Sequence, residues 1–257
     1  RDSRLCSMML PGKCWAVGSF CARMMGRHKP DETAGEKGGF ASLSTCITKE
    51  ISCPECGAVN RVDLWPGMDR REKPLLRKKV LEESLFYWVC PHCGYQALME
   101  YPCVYHDRDL GFLLCLLPEG TGEVPDRLPP LPEKLRLRLV TTPAQMKEKV
   151  LLFESGYDDV AMELVKYSLT QLVVEKWHIP SATAYFTKAD EKEIEFAFFR
   201  PGQTRPVLQR TRMKAYRQAR EILKLLHYHD SKGFVAVDMA LAAELFEQFR
   251  NLGQEDE

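Results

Sequence analysis

The sequence predicts an α+β protein, and three observations carry that reading. Two short strings, Cys53-Pro54-Glu55-Cys56-Gly57 and Cys90-Pro91-His92-Cys93-Gly94, are each flanked by strand-like runs. A proline-rich stretch, residues 119–134, separates this part from the rest. Beyond it, apolar residues recur first at helical spacing and then at strand spacing.

Each string is a Cys-Pro-x-Cys-Gly knuckle. Two cysteines with two residues between them can occupy one edge of a tetrahedron, and zinc takes four ligands at tetrahedral corners. Proline stiffens such a turn, and the glycine supplies the positive φ that lets the chain leave it. The remaining amides are free to point at the first sulfur. Two knuckles with the same decoration predict one structural Zn²⁺ held by Cys53, Cys56, Cys90 and Cys93. A redox reading competes through Cys90-Pro91-His92-Cys93 alone, which matches the active-site tetrapeptide of thioredoxin-like disulfide oxidants. That chemistry places the first cysteine at a helix N-terminus. Residues 94–101 read as a strand instead, and a redox dithiol leaves the first knuckle unexplained.

Taken in order, residues 47–51 and 59–64 read as strands entering and leaving the first knuckle, with Pro66-Gly67 turning the chain. Pro74 suits the first turn of a helix running to about Ser84, with Leu76, Val80 and Leu81 inward. Residues 85–89 enter the second knuckle. Residues 95–105 and 112–117 follow as strands around a turn at 106–109. The whole reads as a zinc-ribbon-like β domain with an inserted helix, residues 41–118. After the linker at 119–134 comes a C-terminal α+β region, 135–257, whose first part, 135–177, is a helical pair. Thr142-Pro143-Ala144-Gln145 has the form of a capping box with proline at the first helical position. Ala161, Leu164, Val165, Ser168, Leu169, Leu172 and Val173 mark the second helix of the pair. A hairpin over 183–187 and 194–199, a short strand at 207–209 and helices over 212–227 and 237–250 complete the chain. Residues 1–40 read as a disordered tail or a mis-called start.

The 257 residues are 45% hydrophobic and 28% charged with a formal net charge of zero, enough for ordinary globular cores. No apolar run reaches a membrane span, so no membrane role is expected. Of the ten cysteines, Cys46, Cys103 and Cys115 lie in strand-like stretches and read as buried thiols. Cys6, Cys14 and Cys21 have no knuckle spacing. Reduced thiols with zinc fit the cytoplasm.

The chain resembles the CpXC proteins, a bacterial and archaeal group named for two such cysteine motifs. The resemblance rests on the two knuckles, on Leu85-Phe86-Tyr87-Trp88-Val89 between them, and on Glu100-Tyr101-Pro102 with Tyr105-His106-Asp107 after them. It runs from about Ile47 to about Trp177. It implies the fold and the metal, and no activity.

Other constellations are weaker. His92 could replace a cysteine as ligand, but four cysteines already close the shell. His106 with Asp107 suggests acid–base chemistry or local hydrogen bonds at a turn, and the turn favours the latter. Asp158 and Asp159 precede a helix and read as caps. His227, His229 and Asp230 resemble a metal site but fit the end of a helix. No Ser-His-Asp elbow, phosphate loop or His-Glu-x-x-His string occurs, so no active site is evident and the balance leans away from an enzyme. Arg210, Arg212, Lys214, Arg217, Arg220 and Lys224 form a basic run that could grip nucleic-acid phosphates or serve as a solvated helix face. The leading functional expectation is a binding or adaptor module for a protein partner. Nucleic-acid binding and thiol–disulfide chemistry are the alternatives.

Overall fold

The computed structural model describes residues 44–121 and 135–253. The expectations for residues 1–40, and for residues 122–134 of the proline-rich stretch, fall outside the described residues. The fold is mixed α+β, and the chain divides into two compact units between Pro143 and Ala144.

The first unit opens with β1 (Thr45–Ser52) and β2 (Val59–Asp69), paired antiparallel, with the first knuckle as their connection. The outer residues of this ribbon meet as cross-strand partners. Thr48 donates to Asp63 at 2.7 Å, and Arg61 lies 3.2 Å from Glu50. Pro66-Gly67 does not turn the chain, contrary to expectation: β2 runs through it to Asp69. The register slips between Thr45 and Ile47 opposite this point, and Gly67 begins a parallel pairing with Val104. A proline lacks the N–H that a regular ladder needs, so it sits where β2 changes partner.

Helix α1 (Pro74–Leu81) starts on its proline, as expected, but ends short of Ser84; Leu76 and Val80 are its buried residues. The predicted strand over 85–89 shortens to β3 (Tyr87–Val89), which pairs antiparallel with β4 (Gln96–Leu98) across the second knuckle. The expected single strand over 95–105 is two strands. Pro102 interrupts it, and β5 (Cys103–Asp107) leaves the hairpin to pair in parallel with β2. β6 (Phe112–Leu116) returns antiparallel to β5, and β7 (Arg136–Val140) lies parallel to β6. Residues 136–140 fall in the expected helical pair but form a strand instead, in which Leu137, Leu139 and Val140 interleave with two arginines. In this unit the sheet order is β1-β2-β5-β6-β7. Every residue of β5 and β6 is buried, as expected for strands covered on both faces.

The second unit begins in α2 (Pro143–Glu154), which stops before Gly156 at φ +74°. Helix α3 (Asp159–Trp177) follows. It ends with His178 in the left-handed region, and the Ile179 amide bonds back to the Val174 carbonyl. β8 (Thr183–Ala189) and β9 (Glu193–Phe199) form the expected hairpin, with Asp190 Oδ1 accepting from the amides of Lys192 and Glu193. β10 (Val207–Arg212) is twice as long as expected and pairs with β9, giving the order β10-β9-β8. Helices α4 (Met213–Leu225) and α5 (Met239–Leu252) close the unit. Their core joins Leu164 and Val165 of α3, Phe186, Phe196 and Phe198 of the hairpin, and Ala219, Leu223 and Leu245 of the last helices. Burying each such large apolar side chain contributes about 1.5–3 kcal/mol, which is why the helices dock on one face of the hairpin.

Candidate metal centre

The two knuckles come together at the tips of the β1–β2 and β3–β4 hairpins. Cys53 Sγ lies 3.6 Å from Cys93 Sγ, and Cys56 Sγ lies 3.7 Å from Cys90 Sγ. All four sulfurs lie within 4.8 Å of one another. Four sulfurs at tetrahedral corners about 2.3 Å from zinc stand ~3.8 Å apart, so the spacing fits the shell a Zn²⁺ requires.

The local backbone explains why each knuckle adopts this shape. The Gly57 amide bonds to the Cys53 carbonyl at 2.9 Å, and the Gly94 amide bonds to the Cys90 carbonyl at 2.9 Å. The Cys53 amide reaches Ala58 O at 2.9 Å, and the Cys90 amide reaches Tyr95 O at 2.7 Å. Both glycines take positive φ, +70° and +74°, so a side chain at either would be strained. The two loops are near copies, which places the sulfurs about a common centre. Ile51, Trp88 and Ala97 pack with Cys53 and Cys90 in a small apolar cluster. The first cysteine of each knuckle is thus buried, while Cys56 and Cys93 are exposed at the tips.

The electrostatics favour thiolate at Cys90 and oppose it at Cys93 and Cys56. Burial is the largest influence on Cys90 and raises its thiol. The amides of Cys93 and His92 and the thiols of Cys53 and Cys93 outweigh it, holding Cys90 at about 6. Cys93 is pushed the other way, to about 12. The Tyr95 amide is its largest influence and lowers it, but burial and the three neighbouring thiols prevail. Cys56 is also raised: the Ala58 amide lowers it, and burial with the Cys53 and Cys90 thiols overcomes that. Four thiols this close cannot all ionise without a cation between them.

His92 is exposed and lies outside the sulfur group. The segment after Cys93 leads into strand β4, not a helix, so Cys90 lacks the helix N-terminus that a disulfide oxidant uses. Of the other cysteines, Cys103 and Cys115 are buried as expected, whereas Cys46 is exposed on the edge strand β1. Alternation explains the difference, because Cys46 falls on the outward face of the ribbon.

The remaining candidates are dispersed. His106 lies in β5, not in the turn, and its Nδ1 sits 3.3 Å from Asp69 Oδ2 on the neighbouring parallel strand. Asp107 does hold the turn: its Oδ1 accepts from the amides of Asp109 and Leu110, and its Oδ2 accepts from Arg70 at 2.7 Å. Asp69 and Asp107 are fully buried, and Arg108 Nε donates to Asp69 at 2.6 Å. Sequence reasoning missed Asp69 and its arginines; a run of charges directly after a strand was the available signal. Asp158 caps α3 by accepting from the Ala161 amide at 2.9 Å. Asp159 does something else: it is buried, 2.9 Å from Lys149 Nζ. His227, His229 and Asp230 are exposed at the end of α4, with His227 in the left-handed region, and they form no metal-ligating cluster.

The six basic residues are all exposed, but on two elements. Arg210 and Arg212 belong to β10, not to a helix face; Lys214, Arg217, Arg220 and Lys224 belong to α4. Arg210 donates to Glu195, Arg220 lies 3.4 Å from Asp158, and Lys224 lies 2.7 Å from Glu221. Arg212, Lys214 and Arg217 make no ion pair among the described residues.

No described helix is long and apolar enough to cross a membrane. Compared with known proteins, the chain matches the family model described as CpXC protein over residues 51–166. That interval contains all four knuckle cysteines and is shorter at both ends than the resemblance suggested. No curated protein and no solved structure matches the chain.

Proposed function

We propose that the chain, whose residues 51–166 match the CpXC family model, is a non-enzymatic binding module. Its first unit is a zinc-ribbon-like fold closed by one structural Zn²⁺ on Cys53, Cys56, Cys90 and Cys93. The sulfur spacing of 3.6 and 3.7 Å carries this reading. Four thiolates fill a tetrahedral shell and leave no position for water or substrate, so such a zinc organises structure instead of activating a nucleophile. The ribbon then serves to present its surface to a protein partner, in a reducing compartment such as the cytoplasm.

Elemental analysis of the purified full chain tests the metal, together with the thiolate-to-metal absorption of a Co²⁺-substituted sample. One tightly held metal per chain with tetrahedral Co²⁺ bands is expected. A metal-free protein, or one that reduces disulfides catalytically through Cys90 and Cys93, would overturn the reading.

The three unpaired cations, Arg212, Lys214 and Arg217, favour a second reading in which the β10–α4 junction contacts nucleic-acid phosphates. Binding of this kind weakens steeply with salt. Reversing these three charges should abolish it. The absence of any binding at low salt removes this alternative.

A further inference from the structure

The second unit buries ionised groups that neither the metal nor the binding surface uses. Lys166 of α3 places its ammonium 2.9 Å from Glu148 Oε2 of α2 and 2.8 Å from Glu163 Oε2 on its own helix. All three residues are buried. The two carboxylates are not equally served. Glu148 accepts from Lys166 with both oxygens, at 3.0 and 2.9 Å, and Glu148 Oε1 also accepts from the Phe186 amide of β8 at 2.6 Å. Glu163 has Lys166 alone. Lys149, the other ammonium nearby, is engaged with Asp159 at 2.9 Å. Helices α4 and α5 send Ala219, Leu223, Ala242 and Leu245 into the shared core, and Arg220 of α4 is turned to Asp158.

Two carboxylates sharing one ammonium away from water resemble a carboxylate dyad: both cannot ionise cheaply. The proton belongs on the acid with fewer donors. We propose that the Glu148–Lys166–Glu163 trio holds one proton at neutral pH, carried by Glu163, so that the folding of the second unit is linked to proton uptake.

The electrostatic direction agrees. Burial is the largest influence on Glu163 and raises it above 4.5; Lys166 and Lys149 oppose this, while Glu148 adds to it. Lys166 is raised, because its two carboxylates outweigh its burial. A carboxyl raised on folding binds its proton more tightly in the folded state. Its contribution to stability is therefore present at low pH and lost as pH rises from 4.5 through the folded value.

Side-chain carboxyl ¹³C NMR of the glutamate-labelled full chain tests this, with resonances assigned through bonds. At neutral pH the Glu163 carboxyl should sit at the protonated position and Glu148 at the ionised one. Glutamine mimics a neutral acid, so Glu163→Gln should match the wild-type melting temperature below pH 4.5, exceed it at neutral pH and lose the pH-dependent fall. Finding both carboxyls ionised, or the proton on Glu148, would overturn the proposal. So would a Glu163→Gln variant that melts lower at every pH with the wild-type slope. The NMR measurement on the wild-type chain decides the matter even where the variant does not fold.

Discussion

At the tips of the first unit's hairpins, four cysteine sulfurs face one another with no cation of the protein between them. In the second unit, Glu148, Glu163 and Asp159 face Lys166 and Lys149. Both regions bring together groups that ionise to negative charge, the first half exposed at the hairpin tips and the second buried. The second supplies its own counter-charges from adjacent turns of two helices. The first has short strands, a small apolar cluster around Trp88, and no lysine or arginine among the packed residues. Under the proposed function, its positive charge comes from a bound metal, whereas the second unit draws its counter-charges from its own sequence.

Removing the metal ligand should give the largest effect. Structural zinc sites supply on the order of 10 kcal/mol. Cys90→Ser should therefore release metal and unfold the hairpins around the knuckles. Hydrogen exchange at residues 53–58 and 90–98 should rise toward unfolded rates, with the α3 amides still protected. Loss of protection in both units together would break the contrast drawn between them.

A smaller effect is expected from Lys166→Met. It strands Glu148 and Glu163 without their shared ammonium, and breaking a buried pair costs about 3–5 kcal/mol. Urea denaturation should show that loss with zinc content unchanged. Asp158→Ala removes the cap of α3 and should cost about 1 kcal/mol, read the same way.

The smallest effect concerns His106. Burial is the main cause holding its imidazole below 6.5, with Arg108 adding to it and Asp69 and Asp107 opposing. The folded state therefore binds fewer protons than the unfolded one below 6.5, and stability should fall as pH drops through that region. His106→Gln should flatten this part of the pH–melting curve. An unchanged curve would show that folding does not lower the His106 imidazole.

The legible parts of the fold were those governed by local chemistry. Cys-Pro-x-Cys-Gly fixes its own turn, Pro74 starts its helix, and Asp190 holds the hairpin turn, whatever surrounds them. Element ends were less legible. Pro66-Gly67 looks like a turn but lies within β2, because the strand exchanges β1 for β5 there, and partner exchange leaves no local mark. Arg210 looks helical by spacing, but Glu195 across the ladder draws it into β10. The buried ions were missed because a lysine in a helical stripe reads as solvated until its partners on another helix are seen.

By itself, then, the sequence pointed to Cys53, Cys56, Cys90 and Cys93 as a set that could hold a metal: ligand type and spacing are properties of short chain segments. It also determined that the class is α+β, because apolar periodicity is written along the chain. The tertiary structure added the geometry of that set, with all four sulfurs within 4.8 Å of one another at the tips of two hairpins. It also decided that Asp69 reaches His106 and that Glu148 competes with Glu163 for one lysine. Each of these joins residues distant in sequence or on different elements, and electrostatic energy depends on distance and burial, which exist only once the chain has folded.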